Sequence, residues 1–203
     1  MTAKEKIVEA GIYLFNTNGY AATSIRDIAN RAKVNSANIS YYFKGKNGLL
    51  EHCIIEYFEN YLNIIEKYLS LEIDRNIFMQ CIEEIVQYHF KNRQLSRLVL
   101  REMSLDHQMI REVMATYLMK EKYIFQTLIQ SLVKKQGGII QSNQLAIILV
   151  QLKGLISAPF LNPLYLKEVL YIYPSDSYFM EEYIAEICYW MNKKIEGSNK
   201  KVH

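Results

Sequence analysis

An all-α fold is what this sequence predicts, and three observations predict it. Apolar residues recur three and four places apart through most of the chain, the spacing of one face of a helix. Glycine (8) and proline (3) are scarce among 203 residues, too few to punctuate the many short strands of a sandwich or barrel. Half of the residues are apolar and 22% are charged, at a length that buries a core without metal or disulfide staples.

Ile7, Ala10, Gly11, Leu14 and Phe15 predict an amphipathic helix over 3–17, ended by Asn18 and Gly19. Thr23 and Ser24 offer hydroxyl caps, and Asp27, three places after Ser24, forms a loose capping box before the stripe Ile25, Ile28, Ala29, Ala32. Asn35 and Ser36 cap a third, short helix through Tyr42, with Ile39 and Phe43 facing inward. Gly45-Lys46-Asn47-Gly48 breaks the pattern, and a long stripe then runs from Leu49 through Leu50, Cys53, Ile54, Tyr57, Phe58, Tyr61 and Ile65 to Leu69. Further helices are expected at 75–91, 94–105 and 108–135, with a turn at Asp106. The last of these closes on Lys134-Lys135-Gln136-Gly137-Gly138, cations in the final turn and glycine beyond it. Residues 142–158 are apolar almost all round, Pro159, Pro163 and Pro174 punctuate the next segment, and 177–195 form an aromatic-rich closing helix. The chain therefore divides into a head, 1–48, and a helical body, 49–203.

The net charge of +3 hides an asymmetry. Residues 1–48 hold Lys4, Lys6, Arg26, Arg31, Lys33, Lys44 and Lys46 against Glu5, Glu9 and Asp27, net +4, while the remainder carries 17 basic and 18 acidic residues, net −1. Local positive charge of that kind suits contact with phosphates. Other classes fare worse. His52, His89, His107 and His203 are isolated and no HExxH or GxSxG occurs. The adjacent pairs Glu83-Glu84 and Glu181-Glu182 point to different sides of a helix, so no acid and base act together and no catalytic residue is assigned. Cys53, Cys81 and Cys188 lie far apart outside any CxxC spacing, which suits a reducing cytoplasm and argues against a zinc site or disulfide framework. No metal or other cofactor is expected. The opening segment is interrupted by Lys4, Glu5, Lys6 and Glu9 and lacks the form of a signal peptide. The longest apolar run, Leu145 to Val150, ends at Gln151, so neither a membrane span nor a membrane partner is expected.

From Ser24 to Phe43 the spacing is that of a helix-turn-helix: an eight-residue helix, a tight turn, and a second helix whose outward residues can enter a major groove. Ser36, Ala37, Asn38 and Ser40 lie opposite Ile39 and Phe43 and are small enough to let the backbone approach DNA. Asn38 can bond adenine through two atoms and Ala37 can touch a thymine methyl. Tyr41, Tyr42 and Lys44 complete the helix end, while Arg26, Tyr42, Lys46 and the Thr23 and Ser24 hydroxyls form a backbone-contact set. The same spacing also fits an ordinary three-helix corner with solvated serine and asparagine.

Residues 19–50, GYAATSIRDIANRAKVNSANISYYFKGKNGLL, resemble the signature of the TetR family in their aromatic after glycine, T-[ST]-x-R-x-I-A, V-[NS] and Y-[HY]-F-x-x-K-x-x-L. The resemblance implies a TetR-like architecture: a three-helix DNA-binding head with a helix-turn-helix, and a helical body that pairs two chains, here through about 142–158 and 177–195. It places Ser36, Ala37, Asn38, Ser40 and Tyr42 on the reading helix, gives Arg26 a DNA contact and makes Lys46 a phosphate ligand. Two positions depart from the pattern. Ser40 stands where the family commonly has tyrosine, and Lys33 replaces a turn glycine, where positive φ costs a side chain about 1 kcal/mol.

Stretches 37–52, 93–102, 110–126 and 168–171 further resemble the RefZ-type members found in Bacillus-type spore formers. That resemblance implies palindromic sites near the chromosome origin, a role in chromosome capture and division-ring assembly, and FtsZ as a partner. With it go a cytoplasmic, nucleoid-associated location and a search for partner contacts at Glu51, Glu59, Arg97, Arg101 and Arg111. Arg93, Arg97 and Arg101 recur every four residues, either as a docking stripe or as a solvated face paired with glutamates such as Glu102. Tyr57, Phe58, Tyr61, Phe78, Tyr88, Phe90, Tyr117, Tyr123 and Phe125 can be core or the lining of an effector cavity; no polar cluster points to an effector. Tyr183, Tyr189 and Trp190 suit either an interface between copies or a core.

Overall fold

A computed structural model describes residues 1–105, 108–173 and 176–198. The expected turn at Asp106, together with His107, Pro174 and His203, lies outside them. The described residues are helical with no strand: α1 (Ala3–Asn18), α2 (Ile25–Ala32), α3 (Ser36–Phe43), α4 (Lys46–Glu66), α5 (Arg75–Lys91), α6 (Arg93–Ser104), α7 (Gln108–Lys135), α8 (Ser142–Leu161) and α9 (Ser177–Ser198). A 3-10 turn, Lys67–Ser70, comes after α4 and a π turn, Tyr165–Val169, after α8. Two compact units result, one of residues 1–59 and 92–115, the other of 60–91 and 116–203. The unit containing the helix-turn-helix thus takes in α6 and much of α4 as well as residues 1–48, and a boundary at 48 falls inside α4.

In the first unit, α1 starts on a reciprocal box: Thr2 Oγ1 accepts from the Glu5 N–H at 3.2 Å and Glu5 Oε2 accepts from the Thr2 N–H at 2.9 Å. Gly19, at φ 84°, ends it. Ile7, Ala10, Gly11 and Phe15 are buried on its inner face. The chain-distant α6 fastens its C-terminal end. Asn16 Nδ2 donates to the Gln94 carbonyl at 2.8 Å, and Arg101 donates at 2.8 Å to the Phe15 carbonyl, which also accepts from the Gly19 N–H that closes the helix.

The junction of α3 and α4 differs from its expectation. Gly45–Gly48 reads as a break, yet α4 begins at Lys46 with Gly48 inside its first turn. Lys44 (φ 58°) and Gly45 (φ 112°) make the whole change of direction. Gly48 is required by closeness: a Cβ there would lie 1.8 Å from the Phe43 carbonyl oxygen.

In the second unit, α5 and α9 pack through Phe78, Ile82, Ile85 and Ile184, Ile187, Met191, all buried. Each such side chain contributes about 1.5–3 kcal/mol on leaving water. An Arg75–Glu196 ion pair at 2.6 Å joins the same two helices. Sequence places the end of α8 before Pro159, but the helix continues to Leu161. Proline has no N–H to give to the carbonyl four residues back, that of Leu155. The Tyr183 hydroxyl on α9 donates to that oxygen at 2.7 Å, so the helix passes through its proline with the acceptor filled. By length and composition α8 is also apolar enough to cross a membrane, although uninterrupted runs predict no span, and only about a third of its apolar window is buried within the chain.

Candidate nucleic-acid interface

The reading helix is built from its caps. At the start of α2, Ser24 Oγ accepts from the Asp27 N–H at 3.1 Å and donates to Asp27 Oδ2 at 2.6 Å, while that carboxylate accepts from the Ser24 N–H at 2.9 Å. These hydrogen bonds hold the Asp27 carboxyl below the usual carboxylate range. Lys33 then takes the left-handed conformation, φ 55° and ψ 47°, where the TetR pattern has glycine, and its N–H closes back on α2. Asn35 Oδ1 accepts from the Ala37 N–H at 2.9 Å to open α3. Ile28, Ala29 and Ala32 of α2 are buried, as are Ile39 and Phe43 of α3, so packing fixes which face of α3 turns outward.

That face carries the expected readers. Ser36, Ala37, Ser40, Tyr41 and Tyr42 are exposed and Asn38 is half-buried. Tyr41, 80% exposed, meets Tyr42 edge to face with ring centroids 5.0 Å apart. Arg26 and Lys44 are exposed at either end of the motif. Lys46 has a second occupation: its ammonium donates to the Tyr20 carbonyl at 2.9 Å and the Ala21 carbonyl at 3.4 Å and stands 4.4 Å from the Tyr20 ring centroid. It therefore staples the α1–α2 loop to the start of α4.

One expected contact is corrected. Thr23 is 1% exposed, and its hydroxyl donates to the Gly19 carbonyl at 2.8 Å, so it closes the α1–α2 loop and has no face toward a phosphate. Ser24 is exposed but commits its hydroxyl to Asp27. Lys33, counted in sequence among the cations of the head but not among its DNA contacts, is exposed in the turn between the two helices. Arg31 lies 3.3 Å from the Tyr13 ring centroid, a stacking that fixes its guanidinium beside the same turn. Helical spacing signals neither, because a left-handed turn residue and a cation–π contact leave no periodic mark.

The five residues considered for a protein partner all belong to the first unit. Glu51, Glu59 and Arg111 are exposed and Arg97 is half-buried. Arg101 is engaged internally, on the Phe15 carbonyl and, at 3.0 Å, on Glu102, whose side chain is 1% exposed.

The second unit brings together a polar group that sequence did not identify. The Tyr61 hydroxyl donates to Glu121 Oε1 at 2.7 Å, Lys153 pairs with Glu121 Oε2, and the ring of buried His89 meets the Tyr61 ring edge to face at 5.4 Å. His89 Nδ1 lies 2.7 Å from the Ile85 carbonyl, so that nitrogen carries the proton. Burial, with Lys153 adding to it, pushes the His89 imidazolium down to about 4. Of the aromatics that can be core or cavity, seven are buried, while Tyr117 is half-buried and Tyr123 is 64% exposed. Burial also pushes the Cys53 and Cys81 thiols up to about 12. No cluster of metal-ligating side chains occurs among the described residues.

The description of bacterial regulatory proteins of the tetR family matches residues 7–53, the stretch from within α1 into α4. Over 194 residues, 94% of this chain and 93% of the other, the sequence is 42% identical to the "Probable HTH-type transcriptional regulator YttP" of Bacillus subtilis. The chain belongs to the TetR family. As a TetR-type transcriptional regulator it binds DNA, and the α2–turn–α3 unit lies within the matched stretch. The TetR fold extends beyond the head: the regulator PfmR from Thermus thermophilus superposes with a TM-score of 0.69 over 94% of this chain and 97% of its own, at 16% identity. FadR from Bacillus subtilis, solved in complex with stearoyl-CoA, superposes with a TM-score of 0.63 over 98% and 99%, also at 16% identity.

Proposed function

We propose that two copies of this chain read a palindromic DNA site, each placing α3 in a major groove about 34 Å, one helical turn, from the other. The single observation that carries the reading is the outer face of α3, where Ser36, Ala37, Ser40 and Tyr42 are exposed and Asn38 is half-buried, opposite a packed Ile39–Phe43 face. Asn38 reads a base, Ala37 contacts a thymine methyl, and Arg26, Tyr41, Tyr42, Lys44 and Lys46 hold phosphates, with Ser24 capping the supporting helix. Two-fold protein symmetry gives the palindrome, and α8 and α9 pair the copies. Selection of bound fragments from random DNA tests it: a palindrome with half-sites about one turn apart is the expected product. Recovery of only direct repeats or unrelated sequence would overturn it.

The finer role is RefZ-like, in the cytoplasm and on the nucleoid: occupation of sites near the chromosome origin with effects on chromosome capture and FtsZ-ring assembly. The resemblance supporting it runs through 93–102 and 110–126, beyond the DNA-binding head. Glu51, Glu59, Arg97 and Arg111 are its candidate surface, with Arg101 contributing by holding α1. A ligand-released repressor is the second reading, supported by the structural likeness to FadR, which was solved with stearoyl-CoA. Mapping bound sites across the host genome separates the two. Scattered palindromes near the origin with FtsZ co-purification support the first; one or two promoters, released by an acyl-CoA, support the second.

A further inference from the structure

The two units hold their lysines differently. In the second, Lys67, Lys120, Lys135 and Lys153 each pair with a glutamate, which cancels the charge within the chain. Lys46, in the first, pairs with no carboxylate among the described residues. Its ammonium takes the Tyr20 and Ala21 carbonyls and lies over the Tyr20 ring. Carbonyl dipoles and a ring face orient a cation without neutralising it. Two of the three ammonium N–H groups are engaged in this way, and the third is left for an acceptor outside the chain.

Tyr20 makes most of these contacts, and it is itself fixed from two sides. Its hydroxyl donates to Asn47 Oδ1, one residue beyond Lys46, and its ring tilts against that of fully buried Phe15 with centroids 5.4 Å apart. Burial, with Glu102 adding to it, holds the Tyr20 phenol above its usual range, so the hydroxyl keeps the proton it donates. The loop it belongs to does not depend on Tyr20 for closure, since the Thr23 hydroxyl already ties it to Gly19. The contacts of Tyr20 therefore converge on the head of α4. A lysine stem is costly to immobilise, and a cation ordered before its phosphate arrives binds it with less of that cost.

We propose that Tyr20 is a positioning residue for DNA binding, holding the Lys46 ammonium un-neutralised and oriented so that its remaining N–H meets a backbone phosphate. The proposal rests on the phosphate contact given to Lys46 above and names the residue that prepares it.

A double-mutant cycle on the full chain tests it, with Tyr20→Leu, Lys46→Ala and the pair measured by salt-series anisotropy on the selected palindrome and on scrambled DNA. Y20L removes the ring beneath the ammonium. It should weaken binding about three- to tenfold on both duplexes and flatten the salt slope toward that of K46A, a change of about one unit. In the K46A background Y20L should cost almost nothing more, because the cation it serves is gone. Tyr20→Phe keeps the ring and should restore the slope. Tyr20→Met, flexible enough to fill the space against Phe15, runs through the same cycle if leucine lowers the helical circular dichroism. Equal losses from Y20L with and without Lys46, at an unchanged slope, would overturn the proposal and leave Tyr20 a packing residue. A K46A variant with the wild-type slope would remove the phosphate contact itself, and the positioning role with it.

Discussion

Gly48→Ala probes the link between packing and recognition most directly. The new Cβ would sit 1.8 Å from the Phe43 carbonyl oxygen and 3.0 Å from its carbon, against an ordinary carbon–oxygen contact of about 3.3 Å or more. Both atoms it meets are backbone, so no rotamer change relieves the contact, and the end of α3 or the start of α4 must shift by about 1.5 Å. Overpacking of this kind costs about 1–3 kcal/mol. The displacement exceeds the tolerance of a bidentate base contact, which is worth about 1–3 kcal/mol for each half-site. Lost at both half-sites, that is about 2–6 kcal/mol, or roughly 30-fold to above 10⁴-fold in affinity. Fluorescence anisotropy on the selected palindrome reads the affinity, and urea denaturation reads the stability. Binding within twofold of wild type together with unchanged stability would refute the claim that the carbonyl of Phe43 and the first turn of α4 position the reading helix.

Four further outcomes are expected. Asn38→Ala should cost about 1–3 kcal/mol on the selected site and relax choice at one base position, whereas Lys46→Ala should weaken all sequences alike and flatten the salt slope by about one unit; salt-series anisotropy on matched and scrambled DNA checks both. Tyr183→Phe removes the donor that fills the Leu155 carbonyl above Pro159 and should lower stability by about 1–3 kcal/mol in urea melts. His89 titrates near 4 when folded against about 6.5 unfolded, so the unfolded chain binds the extra proton between those values. Its stabilising effect is therefore complete above pH 6.5 and falls by about 3 kcal/mol as the pH drops toward 4. His89→Gln should flatten that part of the stability–pH profile.

Much of the fold is legible in sequence because its helices announce themselves by period and cap. Ser24 with Asp27, Asn35, and the buried Ile39–Phe43 pair are local signals, and the structure uses each locally. What escapes sequence is what depends on approach through space. Gly48 reads as a breaker but is a contact residue; Pro159 reads as a stop but is bridged by a tyrosine more than twenty residues on. Thr23 reads as a free hydroxyl because nothing in the sequence says that Gly19 will turn its carbonyl toward it. The Tyr61–Glu121–Lys153 group joins three helices, so no single segment carries its pattern.

The two left-handed lysines that bracket α3 have a consequence for engineering. Lys33 at φ 55° and Lys44 at φ 58° occupy conformations that glycine adopts without strain. A stability-guided redesign would replace both, and the resulting protein would melt later while losing two cations from the rim of its reading helix. On the proposed reading, thermal stability and phosphate contact therefore place opposite demands on these two positions.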